Sequence, residues 1–90
     1  MNASLPPGSR GPECGSAQKL FAELALLLDG IEPCPVTGIH TGPSVRNVMW
    51  LQRMLGLPQT GELDPGLLHC LAALRRLAFH CTGTDIRRTS

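Results

Sequence analysis

The chain has 90 residues and a mass of 9.6 kDa, which leaves room for one small domain. Apolar residues make up 42%, fifteen of them leucine, while aromatics are 3%, namely Phe21, Trp50 and Phe79. Eight basic and seven acidic side chains give a net charge of +1, so no broad electrostatic field calls for nucleic acid or an anionic membrane. No apolar run approaches the length a bilayer span needs. A multi-domain enzyme and a fibre are excluded, and a leucine-built globular domain is expected.

In chain order, residues 1–14 are rich in proline and glycine without apolar periodicity and are expected to be a flexible tail. They show no basic start followed by an apolar core, so no secretion signal is read. The localisation stays open: cell wall or extracellular for an exported protein, cytoplasmic otherwise. The domain is expected over residues 15–80 and a second flexible tail over 81–90. Helix one is predicted from about Ala17 to Asp29, with Ser16 as N-cap and Gly30 as its stop. Its apolar face is Ala17, Leu20, Phe21, Leu24, Leu27 and Leu28, with Lys19 and Glu23 one turn apart on the other side. Helix two begins near Pro43 and stops at Gly56. Helix three opens on Asp64 as N-cap and Pro65 at its first position. Its inward stripe is read as Leu67, Cys70, Leu71, Leu74 and Ala78, and a second stripe, Leu68, Ala72, Arg75 and Phe79, is core if helix one packs there. No stretch alternates with period two, so the fold class is all-α: a compact three-helix bundle.

The connections repeat. Thr37-Gly38-Ile39-His40-Thr41-Gly42-Pro43 precedes helix two, and Thr60-Gly61-Glu62-Leu63-Asp64-Pro65-Gly66 precedes helix three, 23 residues later. Each offers a Thr-Gly turn, a short extended stretch and a proline-opened helix, so the domain reads as two related helix–loop–helix halves.

These features resemble the peptidoglycan-binding-like family, a three-helix module of cell-wall hydrolases. The residues that carry the resemblance are Thr37-Gly38-Ile39-His40-Thr41-Gly42-Pro43-Ser44, Val45, Val48, Leu51-Gln52, Gly56-Leu57, Thr60-Gly61 and Asp64. It spans roughly residues 17–74. Thr37 stands where the family's loop has aspartate, His40 where it has phenylalanine, and Ser44 (or Thr41 in a shifted alignment) where it has threonine. Leu67-Leu68 replaces a Thr-Trp pair, which makes the chain a degenerate member. The resemblance implies non-catalytic binding of peptidoglycan, targeting or presenting it to an associated cell-wall hydrolase. The ligand would lie against Ile39, His40, Thr41, Gly42 and Arg46. The alternative is a protein-interaction or self-association module that kept the fold and lost the glycan, with Trp50, Arg53 and Met54 as its surface.

Gln52 is singled out by the residues themselves. Its amide lies on a helical face among Val45, Val48, Met49, Leu51 and Leu55, and an unpartnered buried amide costs about 1–3 kcal/mol. It is therefore expected to bond the Thr37–Thr41 loop and pin it to helix two. Thr60, Gly61 and Asp64 are assigned structural roles. Arg75 and Arg76 with His69 and His80 form a mildly basic edge, read as a solvated helix face, with engagement of anionic wall polymer or peptide carboxylates as the sharper possibility.

Cys14, Cys34, Cys70 and Cys81 fit two disulfides in an exported chain or four thiols in a cytosolic one, and thiols are favoured without a signal peptide. Cys14 with Cys34 is the one disulfide left plausible, since both lie in connections. His69-Cys70 and His80-Cys81 are eleven residues apart, about 16 Å along a helix, so neither repeat shares an ion. No metal and no cofactor are expected. No nucleophile motif, phosphate-cradling loop or carboxylate pair is visible, and the chain is read as non-enzymatic.

Overall fold

The computed structural model describes residues 4–80. Three helices follow one another: α1 (Pro12–Leu24), α2 (Pro43–Met54) and α3 (Pro65–Phe79). There is no strand among the described residues, and the fold is an all-α three-helix bundle in which α1 packs on both α2 and α3. No helix among the described residues is long and apolar enough to cross a membrane.

Each helix carries proline in its first turn, where the missing N–H has no intrahelical acceptor to lose. At α3 the Asp64 carboxylate also caps the helix, Oδ1 accepting from Leu67 N at 2.7 Å. The starts of α2 and α3 and the stop of α2 before Gly56 are as the sequence predicts. Helix one differs at both ends. It starts at Pro12 after Gly11, five residues before Ala17, and its regular part ends at Leu24. From there the chain winds on through tighter turns, Ala25 N donating to Phe21 O and Leu28 N to Leu24 O. Gly30 is not the helix stop; it makes room for the Trp50 indole, which a Cβ at that position would overlap.

The core is built where the three apolar faces meet, from Ala17, Phe21 and Leu24 of α1, Val48 and Leu51 of α2, Leu67 and Leu71 of α3, and Ile31 and Leu63 of the connections. The second stripe of α3 faces α1: Leu68 packs against the core, and Arg75 donates from Nε to Glu23 Oε1 at 2.7 Å. Glu23 thus pairs across the helix interface rather than with Lys19 along α1. Cys70, expected inside, is exposed, because Leu67, Leu71 and Leu74 occupy the inward line of α3 and Cys70 falls on its flank.

Residues 5–11 form a strap across the two loops, where a flexible tail was expected over 1–14. Leu5 and Leu63 exchange backbone hydrogen bonds at 2.8 and 2.9 Å. Gly8 N donates to His40 O at 2.7 Å, His40 N to Ser9 O at 2.8 Å, and Gly11 N to Gly38 O at 3.1 Å. The prolines and glycines that argue against local order suit an extended segment whose partners are distant in sequence. The tail expected over 81–90, with Cys81, lies outside the described residues.

Candidate functional site

The two Thr-Gly turns are held by the same device. Gln18, on the inner face of α1, is buried and reaches the first turn. Its Oε1 accepts from Thr37 N at 2.9 Å and Gly38 N at 2.8 Å, and its Nε2 donates to Ile39 O at 2.8 Å and Thr37 Oγ1 at 3.3 Å. Gln52 of α2 does this for the second turn, accepting from Gly61 N at 3.0 Å and donating to Thr60 Oγ1 at 3.0 Å and Glu62 O at 3.3 Å. In both turns the threonine hydroxyl also accepts from the N–H two residues on, Ile39 at 3.2 Å and Glu62 at 3.1 Å. Gly38 and Gly61 sit at φ +81° and +78°, a conformation that side chains disfavour, and that turn aims the glycine N–H at the glutamine. The expectation that Gln52 pins the Thr37–Thr41 loop is therefore corrected: Gln52 holds the Thr60 turn, and Gln18, which the sequence reading did not single out, holds the Thr37 turn.

His40 joins the two turns. Its side chain is fully buried, with Nε2 2.7 Å from Gly61 O and Nδ1 2.6 Å from Ser44 Oγ. A carbonyl oxygen only accepts, so Nε2 carries the proton and, in the neutral ring, Nδ1 accepts from the Ser44 hydroxyl. His40 was expected to meet a ligand; both its ring nitrogens are instead engaged inside the protein. It fills a core position and ties the first loop, the start of α2 and the second loop together. No buried side-chain nitrogen or oxygen among the described residues lacks a partner.

Of the other residues expected at a ligand, Ile39 is half-buried, with its carbonyl held by Gln18 and its segment paired with Arg10 of the strap. Thr41 and Gly42 are exposed at the mouth of the loop, beside the first turn of α2. Arg46 is exposed but engaged, donating from Nε and Nη2 to the two oxygens of Glu32 at 2.7 and 3.1 Å. This forked bond holds the Glu32 carboxyl below its ordinary pKa and raises that of the guanidinium. Asn47 grips the same residue by its backbone, accepting from Glu32 N at 2.9 Å and donating to Glu32 O at 3.0 Å. Together Arg46 and Asn47 anchor the connection between α1 and the first Thr-Gly turn.

The expected partner surface divides in two. Trp50 is half-buried, packed on the core and over Gly30, so its indole is largely taken up by the fold. Arg53 and Met54 are exposed, and the apolar surface continues through Leu55 and Leu57, with Met54 64%, Leu55 47% and Leu57 46% exposed.

Cys14 and Cys34 are buried and unpaired rather than joined to each other, and burial pushes both thiols above their ordinary pKa. Among the described residues no three His, Cys, Asp or Glu side chains gather as a metal site would require. Between two helices, Lys19, Leu20 and Glu23 of α1 and Ala72, Arg75 and Arg76 of α3 line an open groove of about 420 Å³. Arg75 and Arg76, expected on a solvated edge, meet Lys19 here through the pairing of α1 with α3, a contact that no local sequence pattern encodes.

No protein-family model, no curated protein and no solved structure matches this chain.

Proposed function

We propose that the chain is a non-catalytic binding module for bacterial cell-wall peptidoglycan, which keeps an attached or associated hydrolase on its polymer. The observation that carries this reading is the pair of glutamine-clamped Thr-Gly turns. They fall on the stretches, Thr37–Ser44 and Gln52–Asp64, through which the sequence resembles the peptidoglycan-binding-like family. The replacement of the family's loop phenylalanine by His40 is accommodated inside the fold, so the loop keeps a fixed shape. Contact with the polymer falls to the exposed edge, Thr41 and Gly42 with Arg46 beside them, while His40 acts by holding that edge in place. The mechanism is raised local concentration: weak attachment of the module makes encounters between an attached hydrolase and its polymer effectively intramolecular.

The test is co-sedimentation of the chain with insoluble peptidoglycan sacculi, with cellulose as the control polymer. Retention on sacculi alone, reduced in Thr41→Ala and Arg46→Gln, is expected. No retention at about 50 μM chain would overturn the reading.

A second reading is favoured by the exposed run Met54, Leu55 and Leu57 beside Arg53, which suits a protein partner or a second copy of the chain. A dimer in sedimentation velocity that is lost in Met54→Asp would support it.

A further inference from the structure

We propose that the groove between α1 and α3 is a second binding site, specific for a short carboxylate-bearing peptide. It is separate from the Thr41 edge and stands on its own observations. Lys19, Arg75 and Arg76, three of the chain's eight Lys and Arg residues, converge on it against one acid, Glu23. The four charges are not equivalent. Arg75 is fixed from two sides, by the bond from Nε to Glu23 Oε1 at 2.7 Å and by the Phe79 ring, whose centroid lies 4.9 Å from the guanidinium carbon. Its orientation is therefore set before any ligand arrives.

Lys19 and Arg76 are exposed, and neither side chain has a hydrogen-bond or ion-pair partner among the described residues. They are the two cations left to meet an incoming anion. Glu23 Oε2 makes no bond among the described residues and offers an acceptor for an N–H. Leu20 and Ala72 supply an apolar floor between them.

Two exposed cations, one acceptor oxygen and an apolar floor are complementary to a peptide unit that carries carboxylates, an amide N–H and a small side chain. A polyanion such as nucleic acid would need a longer basic stripe and aromatic platforms for its bases, and this groove has neither. The volume, about 420 Å³, suits a ligand of dipeptide size.

The experiment is an amide NMR titration of the ¹⁵N-labelled full chain with N-acetyl-alanyl-glutamate. Its diamide and inorganic phosphate are the comparison probes. The dicarboxylate should shift the amides of Lys19, Leu20, Ala72 and Arg76 with a Kd of about 1 mM. Affinity should fall at least about fivefold in the double variant Lys19→Gln, Arg76→Gln and weaken with added salt. Both replaced side chains are exposed and have no partner among the described residues, so the variant should keep the wild-type helical circular dichroism. The diamide should leave the groove amides in place. No groove shifts up to about 20 mM dicarboxylate would overturn the proposal. So would equal binding of the diamide or of phosphate, or shifts confined to Thr41 and Arg46, the last of which would favour the loop edge as the peptide site.

Discussion

Replacing Gln18 by leucine removes the clamp on the first Thr-Gly turn while nearly conserving volume. The Thr37 and Gly38 N–H groups lose their acceptor, while the Ile39 carbonyl still accepts from Thr41 N at 2.9 Å and from the Thr37 hydroxyl at 3.2 Å. Leaving a buried donor unsatisfied costs about 1–3 kcal/mol. Thr37 is exposed and Gly38 half-buried, so water can recover part of that loss and the low end applies to each. The carbonyl adds a few tenths, and the leucine returns about 1 kcal/mol of apolar burial at the fully buried Gln18 position. The expected net loss is about 1.3 kcal/mol, about a quarter of the roughly 5 kcal/mol available to a domain of this size. Urea unfolding followed by circular dichroism should show it as a midpoint lower by about 0.5–1 M. Hydrogen exchange should accelerate at Thr37 and Gly38 before it does in the Gln52-held turn. Thr37→Val, which removes the hydroxyl and keeps the glutamine, should cost less than half as much. A Gln18→Leu protein within about 0.5 kcal/mol of wild type, with Thr37 and Gly38 still protected, would refute the clamp.

Gly30→Ala should destabilise the domain by about 1–3 kcal/mol and shift the Trp50 fluorescence maximum to the red, since the new methyl group displaces the indole from the core edge. Asp64→Ala should cost about 1 kcal/mol in urea unfolding, and Asp64→Asn much less, because an amide oxygen can still accept from Leu67 N. In a Cys81→Ser background, a maleimide at neutral pH should label Cys70 at once and Cys14 and Cys34 only on the timescale of unfolding. Because both buried thiols have a raised pKa, their contribution to stability is complete below the ordinary thiol pKa and is lost as pH climbs through and above it. Stability should therefore decline above about pH 9, and a flat profile to pH 10 would contradict the burial argument.

The parts of the fold legible in the sequence are those written in local chemistry. Gly-Pro and Asp-Pro openings mark α2 and α3, and the Thr-Gly repeat marks the two turns. The same Gly-Pro signal stands at Gly11-Pro12, but it sits in a stretch whose composition argues for disorder, and the early start of α1 is missed for that reason. That stretch is ordered by bonds to Leu63, His40 and Gly38, partners that no local pattern reveals. The helical wheel places the Gln52 amide inside and leaves open which loop it meets. The Thr60 turn, eight residues on, is the one within reach of the end of α2. Gln18 carries a readable signal, an amide set between Ala17 and Phe21 on an apolar face, matching Gln52 before its own Thr-Gly turn. His40 looks like a loop histidine free for a ligand, and only the packing of both turns shows that its ring belongs to the core.

The central functional claim is attachment to the wall polymer, and competition tests it most directly. Sacculi loaded with the chain are washed with soluble fragments released from the same sacculi by a glycan-cleaving enzyme. The account predicts release of half the bound chain by fragments at about 1 mM, with Thr41→Ala released sooner. Retention untouched by the fragments, yet abolished by about 0.5 M salt, would reveal attraction by charge alone and contradict it.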